Sequence, residues 1–371
     1  MPTRRAVLGG AIGGGVAAAL PGEPAGVKRS MVSREWLALA SVPGASWATL
    51  RGDEISAGGE GMARVGGAPV TTETLFEAAS LSKPVLAAAI HALVGEGLIK
   101  LDEPVARRVD FTTDPVAREI TPRHLLSHSS GLPNWRADAD SVLQCRFKPG
   151  TAFRYSGEGY VLLGRLAEAV TGQTAAQVVR SRVIEPAGMT RSSYGWAAGQ
   201  RVAVAWAHDA GGEVLPDAGP PRYEKARDAG PHRPVEAWTN ADRAAAARAL
   251  GRPELPIFTT PNMAAGLWTT ATDYARFLRF ARRYPGMSSP AVRVEGNLGW
   301  GLGWAVEQAG ARRFAWHWGA NDGVANLFVF DPEHDQALVV LTNGAGGQRV
   351  YERAARVHFA REFDALTWLQ P

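Results

Sequence analysis

Ser80 and Lys83, in the stretch FEAASLSKP of residues 76–84, are the residues whose types and spacing first suggest chemistry. On a helix, residues three positions apart are neighbours on one face, so the lysine amine would lie within reach of the serine hydroxyl. A serine hydroxyl becomes a nucleophile when a nearby base accepts its proton, and a lysine can serve as that base once its pKa is lowered. The alternative is structural, because Ser80 or Ser82 could simply cap a helix whose first turn contains Pro84.

The residues after Lys83 predict the environment that such a lysine needs. PVLAAAIHALVGEGL, residues 84–98, has no charged residue before Glu96 and is apolar on every face, which predicts a helix buried in the core. Burial disfavours the charged form of Lys83, and the start of a helix offers free N–H groups that can hold an oxyanion. The sequence has no G-x-S-x-G elbow, so it offers no rival serine nucleophile of that type, and it has no phosphate-binding loop.

The strands that should position this helix come from both ends of the chain. SWATLRGDEISAGGEG, residues 46–61, predicts two strands joined by a short turn. RRFAWHWG, residues 312–319, alternates bulky with small residues as a strand would, and NLFVFDPEHDQALVVLTN, residues 326–343, predicts two antiparallel strands. We therefore predict an α+β fold in which one antiparallel sheet, built from both chain ends, is flanked by helices and carries an inserted, mainly helical lobe.

The predicted domain organisation has two parts. Residues 1–28 contain TRRAVLGGAIGGGVAAAL, in which Arg4 and Arg5 precede an apolar run too short to span a bilayer. This pattern is typical of a twin-arginine export signal, with a Gly/Ala leader retained in the cytoplasm as the alternative. Residues 32–368 are predicted to form one domain, with an α/β lobe of about 32–120 and 256–368 and a helical lobe of about 121–255.

Several other segments have predicted structures. Helices are expected in TPRHLLSHSSGL and in GYVLLGRLAEAVTG, the second closed by Gly172, then in residues 271–284 and, as a closing amphipathic helix, in residues 349–368. Residues 219–234 are turn-rich and are expected to be an exposed excursion. GWGLGW, residues 299–304, neither follows a clear strand nor opens a helix, so nucleotide binding is not expected.

Composition argues against several classes of protein. The formal charge is only +4 and the basic residues form no block, so a nucleic-acid partner is not expected. The single cysteine, Cys145, excludes an internal disulfide and a CxxC metal site, and we expect a buried or neutral thiol. His124 and His128 have the i, i+4 spacing of a metal pair, but Leu125 stands where a zinc peptidase needs glutamate. Neither a metal nor a cofactor is expected.

Further motifs lie in the order found in a known family. Besides TLFEAASLSKP, the chain carries HLLSHSSGLP, FRYSGEGY, VIEPAGMTRSSYG, AAGLWTTATDYARFL, GWGLGW and HWGANDG. Over nearly all of residues 35–360 it resembles the serine beta-lactamase and penicillin-recognising DD-peptidase superfamily. The branch that it resembles holds class C beta-lactamases, DD-carboxypeptidases, D-aminopeptidases and family VIII esterases. The resemblance implies the beta-lactamase/DD-peptidase fold and a serine hydrolase.

The resemblance also implies roles for particular residues. Ser80 would be acylated, and Lys83 would share its proton. Tyr155 would be the second base, a phenol near the lysine that activates the serine and later passes the proton to the leaving group. His317 and Gly319 would border the substrate cleft on a strand.

Three positions bear on what the cleft recognises. The oxyanion hole would use the N–H groups of Ser80 and Ala320. Many members of the family have Tyr-x-Asn where this chain has Tyr-Ser-Gly, ending at Gly157, which puts recognition of an amide-bearing substrate in doubt. His317 stands where class C beta-lactamases have lysine, which removes a permanent positive charge. The implied function is hydrolysis of an ester or amide through an acyl-enzyme, with an esterase favoured.

Two groups of alternatives remain open at this point. Within enzymes, the alternatives are a beta-lactamase and a D-amino-acid peptidase or DD-carboxypeptidase; outside enzymes, they are a penicillin-binding sensor and an inactive binding module. The expected partner is a small ester, amide or D-amino-acid derivative, and the oligomeric state is left open. The expected location is periplasmic or secreted, with the cytoplasm as the alternative.

Overall fold

The computed structural model describes residues 30–136, 141–196, 204–216, 218–252, 255 and 259–370. The predicted export signal of residues 1–28 lies outside these residues, so it stays a prediction. Within the described ranges, no helix is long and apolar enough to cross a membrane.

A large antiparallel sheet forms the centre of the fold. The strands of the described residues are β1 (Gly44–Arg51), β2 (Glu54–Gly61), β3 (Phe76–Glu77), β4 (Ser193–Tyr194), β5 (Leu267–Thr269), β6 (Val292–Glu295), β7 (Leu298–Trp300), β8 (Ala305–Ala309), β9 (Arg312–Asn321), β10 (Val324–Asp331) and β11 (Gln336–Thr342). Eight of them form one sheet in the order β2-β1-β11-β10-β9-β8-β7-β6, and a small second sheet has the order β3-β5-β4. Strands from the two chain ends meet where β1 pairs antiparallel with β11, which confirms the predicted α+β fold.

Helices cover the sheet. Those of the described residues are α1 (Arg34–Leu39), α2 (Ser82–Gly95), α3 (Pro122–Leu126), α4 (Gly157–Thr171), α5 (Ala175–Val179), α6 (Glu185–Ala187), α7 (Pro220–Asp228), α8 (Asn240–Ala249), α9 (Ala271–Ala281), α10 (Gly347–Phe359) and α11 (Asp364–Trp368). Every residue of α2 from Ser82 to Ile90 is buried, as its apolar sequence predicts. Helix α4 ends at Gly172 with a φ of +70°, which confirms the predicted glycine cap.

The alternation in β9 divides its side chains between two apolar clusters. Phe314 and Trp316 pack in an aromatic cluster with residues of α10 and α11. Ala315, between them, belongs to the main core, which contains the apolar residues of α2. The strand therefore separates the buried helix that follows Ser80 from an aromatic layer at the other face of the sheet.

Three predicted segments differ in the structure. Residues 219–234 were expected to be an exposed excursion, but α7 forms there and buries Tyr223 and Ala226, which are three positions apart on one face. The closing helix of residues 349–368 is instead the pair α10 and α11, because Ala360 takes a left-handed φ of +52° between them. Of TPRHLLSHSSGL, only α3 is helical. The division into an α/β lobe and a helical lobe stays a prediction.

Candidate active site

Ser80 lies in a short 3-10 turn, Ala79–Leu81, that leads directly into α2. Two hydrogen bonds of the neighbouring Ser82 fix this turn: its hydroxyl donates to the Ala79 carbonyl at 2.6 Å and accepts from the Leu267 N–H at 2.9 Å. Ser80 itself is half-buried, while Ser82 is fully buried. The sequence left either serine as a possible helix cap, and neither makes a side-chain cap bond at the start of α2.

Lys83 is fully buried beside Ser80. Its Nζ donates to Ser80 Oγ at 3.0 Å and to the Ala264 carbonyl at 2.9 Å. Burial lowers the pKa of Lys83 from 10.5 to about 7, because it removes the charged ammonium from water. The amine is therefore able to exist in its neutral form, and so to accept a proton, near neutral pH.

Tyr155 lies two residues before the start of α4, close to this pair. The α4 N-cap Ser156 holds the approach to the helix, since its hydroxyl accepts from the Gly159 N–H at 3.0 Å and donates to the Pro133 carbonyl at 2.7 Å. Lys83 Nζ is 4.8 Å from the centre of the Tyr155 ring. Burial raises the pKa of Tyr155 above its usual value, and the nearby Ser80 hydroxyl opposes this rise only in part. Its Oη is buried without a hydrogen-bond partner among the described residues.

His317 is buried on β9, with its ring 6.1 Å from that of Tyr155. Its Nδ1 lies 2.6 Å from the Trp318 carbonyl, which can only accept, so Nδ1 carries the proton and Nε2 is bare. Burial, and then the charge of Lys83, lower the pKa of His317 to about 3. The side chain is consequently neutral at physiological pH and brings no positive charge to the site.

Gly319 lies where β9 passes the Ser80 turn. A Cβ at this position would collide with the Ala78 carbonyl oxygen and would lie 3.2 Å from Leu81 Cγ. The glycine therefore lets the strand approach the turn that carries Ser80. This packing accounts for a glycine at 319 by itself, and the predicted contact with substrate stays a prediction, as does the predicted oxyanion role of Ala320 on the same strand.

Gly157, the first residue of α4, is covered by the indole of Trp135. A Cβ on Gly157 would lie 2.7 Å from the Trp135 ring, and the Gly157 N–H donates to Asn134 Oδ1 at 2.9 Å. The Trp135 side of this contact is open, since the residue is 44% exposed. The space that a larger residue at 157 would fill is thus occupied by an aromatic ring from a different loop.

His128 is the residue at this site that the sequence did not identify as part of it. The sequence singled it out only for its spacing from His124, yet the two histidines have different surroundings. His124 Nδ1 accepts from the Thr121 N–H and completes a capping box on α3, whereas the His128 ring lies 4.3 Å from the Tyr155 ring. Among the described residues, no group of three or more His, Cys, Asp and Glu side chains could hold a metal ion.

The sequence also did not identify the second hydrogen-bond partner of Lys83. This partner is the backbone carbonyl of Ala264, for which a sequence carries no signal.

Comparisons with known proteins agree with this architecture. The sequence model of the family described as Beta-lactamase matches residues 35–362. Esterase EstB from Burkholderia gladioli is 28% identical over 65% of this chain and 68% of its own length. Penicillin-binding protein 4 from Amycolatopsis lactamdurans is 29% identical over 82% of this chain and 81% of its own. The solved structure of the octameric penicillin-binding protein homologue from Pyrococcus abyssi superposes with a TM-score of 0.68 at 23% identity, over 88% of this chain and 76% of that one, which shows a shared fold.

Proposed function

Because this chain belongs to the beta-lactamase family, we propose that it is a serine hydrolase in which Ser80 forms an acyl-enzyme while Lys83 and Tyr155 move the protons. The family and its relatives support a hydrolase of the beta-lactamase fold. The observation that carries the proposed mechanism is the buried Lys83, whose pKa is lowered to about 7 and whose amine is 3.0 Å from Ser80 Oγ. A lysine of ordinary pKa would be protonated and unable to act as a base.

Acylation follows from this arrangement. Ser80 Oγ attacks the substrate carbonyl carbon as its proton passes to the neutral amine of Lys83, and the carbonyl oxygen becomes an oxyanion. In our proposal the N–H groups of Ser80 and Ala320 stabilise that oxyanion. When the tetrahedral intermediate collapses, the bond to the leaving group breaks and the leaving oxygen or nitrogen takes the proton. The acyl group then remains on Ser80 as an ester.

Tyr155 suits the return of the proton to the leaving group. Its hydroxyl is both donor and acceptor, it is kept neutral by burial, and it lies near both Lys83 and Ser80. A neutral phenol can accept the lysine-held proton on one side while it donates its own on the other. Deacylation repeats these steps with water as the nucleophile, and Ser80 regains its proton as the carboxylic acid leaves.

Esters are the substrates that the surroundings favour. His317 is neutral, so this position supplies no cation for the carboxylate that a penicillin or a peptide C-terminus would present. Gly157 supplies no side-chain amide, and the exposed ring of Trp135 covers it with an apolar surface. Both features suit a small ester at least as well as a beta-lactam or a D-amino-acid amide, which stay the alternatives within the family.

A panel of substrates with a covalent readout tests the proposal. Wild type and Ser80→Ala are given short-chain p-nitrophenyl esters, a chromogenic cephalosporin and D-alanyl p-nitroanilide, and intact mass is recorded during turnover. We expect ester hydrolysis with a transient acyl adduct on wild type and neither on Ser80→Ala. A stable adduct without turnover would support a penicillin-binding sensor instead. Wild type with no turnover and no adduct would contradict the hydrolase proposal.

Export by the twin-arginine route is a separate part of the proposed function. It rests on Arg4 and Arg5 ahead of a short apolar run. N-terminal sequencing of protein recovered from periplasm or medium should show that the first residues have been removed. Recovery from the cytoplasm with an intact start would contradict it.

A further inference from the structure

His128 touches the Tyr155 segment in three ways. Its carbonyl oxygen accepts from the Arg154 N–H at 2.7 Å, and its ring Nδ1 accepts from the Ser156 N–H at 3.0 Å. Between these two bonds, its ring lies against the Tyr155 ring at 4.3 Å. One residue therefore holds the backbone on both sides of the phenol and one face of the phenol itself.

The hydrogen bond to Ser156 also fixes the protonation of His128. Because Nδ1 accepts from a backbone N–H, it carries no proton, and Nε2 carries the single proton of a neutral ring. The titratable groups that face the ring are Lys83, Tyr155, Tyr160 and His317. Burial, followed by the charge of Lys83, lowers the pKa of His128 well below 6.5. A neutral ring is thus held beside Lys83 and Tyr155, where a charged ring would oppose protonation of Lys83.

A residue that only filled space would not need to be histidine. Phenylalanine would pack against the phenol, and asparagine would place an oxygen near the position of Nδ1, but only histidine does both. His128 moreover has a φ of +54°, a left-handed conformation that is uncommon outside glycine and clusters at functional sites. Its Nε2–H is buried and has no hydrogen-bond partner among the described residues, so this donor does not hold the ring in place.

We infer that His128 is a positioning residue that sets where the Tyr155 hydroxyl lies relative to Ser80 and Lys83. This inference rests on the proposed function, because a position for the phenol matters only if Tyr155 moves a proton. A small displacement of a reacting group is costly: a shift of about 1 Å can reduce the rate about 100-fold. Loss of the His128 ring would also admit water next to Lys83, which would raise the lysine pKa toward its ordinary value.

Two variants separate the contacts of His128, and the chain supplies a matched control. His128→Asn keeps an acceptor for Ser156 but loses the ring, and His128→Phe keeps the ring but loses the acceptor. His124→Asn, four residues earlier, alters a helix cap without touching Tyr155. With ester substrate, we expect kcat to fall about 10- to 100-fold in each His128 variant, per active site counted by burst amplitude, and about 2-fold or less in His124→Asn.

The pH profile distinguishes positioning from a merely structural role. In His128→Asn, which loses the ring, the acid limb of kcat/KM should move to higher pH, while in His128→Phe and His124→Asn it should stay at the wild-type position. Losses in both His128 variants that match the loss of folded protein, with an unchanged limb in His128→Asn, would overturn the inference. So would equal effects of the His128 and His124 substitutions.

A measurement on the wild-type protein keeps the inference testable if the variants do not fold. The ¹⁵N shifts of the His128 ring should show a neutral ring protonated on Nε2 at pH 6; a charged ring or a proton on Nδ1 would overturn the inference. Wild type that turns over no substrate would overturn the proposed function and the inference together. Wild-type turnover with the wrong tautomer would overturn the inference alone.

Discussion

The two sides of the candidate site differ in how their polar atoms are satisfied. On the Ser80 side, Lys83 Nζ has two acceptors and Ser82 Oγ has one donor and one acceptor. The carbonyls that begin α2 are bound as well, since the Tyr274 hydroxyl donates to Leu81 O at 2.9 Å and the Tyr194 hydroxyl to Ser82 O at 2.5 Å. This side is a hydrogen-bonded network that holds Ser80, the proposed nucleophile, in one place.

On the Tyr155 side, the buried polar atoms without a partner from the described residues include Tyr155 Oη, His128 Nε2 and His317 Nε2. Their rings pack mainly against aromatic neighbours, with Trp300 within 6 Å of each ring centre. In these tautomers, His128 presents a donor and His317 an acceptor, while the phenol can be either. These atoms are free to bond with substrate, leaving group or water.

The difference suggests a division of labour between the two sides. In our proposal, a network that is already satisfied fixes the attacking atom before the reaction begins, so that only the bond between Ser80 and Lys83 has to reorganise. Groups without protein partners gain hydrogen bonds only when the reacting molecule arrives, which is the condition for binding a transition state better than the free site. A substitution on the Ser80 side should thus change the reaction rate or the free energy of unfolding, depending on the residue. A substitution on the Tyr155 side should slow the transfer of protons.

The largest expected effect is that of Ser80→Ala. Removal of the nucleophile should lower kcat/KM for a p-nitrophenyl ester by about 10⁴-fold or more, because no acyl-enzyme can form. The hydroxyl is half-buried, and Lys83 keeps its bond to the Ala264 carbonyl when it is removed, so the melting temperature should change little. Steady-state kinetics and a thermal melt on the same sample measure both quantities. Activity within 10-fold of wild type would show that another residue is the nucleophile.

Lys83→Met should come next, with a loss of about 10²- to 10⁴-fold in kcat/KM. Methionine fills the buried volume without an amine, so it removes the base. In wild type, kcat/KM should rise with pH through about 7, since Lys83 accepts a proton only above its lowered pKa. In Lys83→Met that rise should disappear from the residual activity. Persistence of the same acid limb would assign it to a different group.

The same substitution should leave stability unchanged or increase it at pH 7. The pKa of Lys83 is about 7 in the folded protein against 10.5 for a free lysine, so the unfolded chain binds the extra proton between these values. Wild-type stability should therefore rise with pH across this window, with the penalty fully present below pH 7. Lys83→Met carries no such penalty. Urea unfolding at pH 7 and pH 10 measures the difference, and a variant much less stable than wild type at pH 7 would contradict this explanation.

Tyr155→Phe should lower kcat about 100-fold, because it removes the hydroxyl that moves the proton and keeps the ring. The packing against His128 should survive, so the folded fraction should be unchanged. A larger loss with esters of poor leaving groups than with p-nitrophenyl esters would mark donation to the leaving group as the affected step. Equal losses with both kinds of ester would point to a role in activating Ser80 alone.

The sequence predicted the Ser80 side better than the Tyr155 side, for physical reasons. Lys83 and α2 are close in the chain, so their spacing and the apolar run after them carry the local geometry and the burial that lowers the lysine pKa. Tyr155 and His317 entered through resemblance to a family, since nothing local joins residues so far apart in the chain. His128 was missed because its contacts depend on a left-handed backbone at that residue, which a helical pattern does not predict.

The fold shows the same division between local and distant information. The paired strands at the chain ends follow from alternation in short segments, and the structure confirms their antiparallel sheet. The prediction for residues 219–234 was wrong because Pro, Gly and charged residues dominate that segment. Helix α7 forms there because Tyr223 is buried against Trp196 and Trp268, which come from distant segments. The covering of Gly157 by Trp135 is likewise a contact between loops, which no spacing in the sequence indicates.

Ser82→Ala should have the smallest effect on activity and gives the comparison its closest control. Ser82 is two positions from Ser80, but it is fully buried and its hydroxyl bonds only to the protein backbone. Its loss leaves the buried Leu267 N–H and Ala79 carbonyl without that partner, which should reduce the free energy of unfolding by about 1–3 kcal/mol. Activity per folded molecule should stay within several-fold of wild type, because the Ser80 and Lys83 side chains remain and the bonds from Tyr194 and Tyr274 still hold the start of α2. Denaturant unfolding measures the stability, and kinetics under conditions in which the variant is fully folded measure the activity. A loss of activity as great as that of Ser80→Ala would mean that the reaction has been assigned to the wrong serine of this turn.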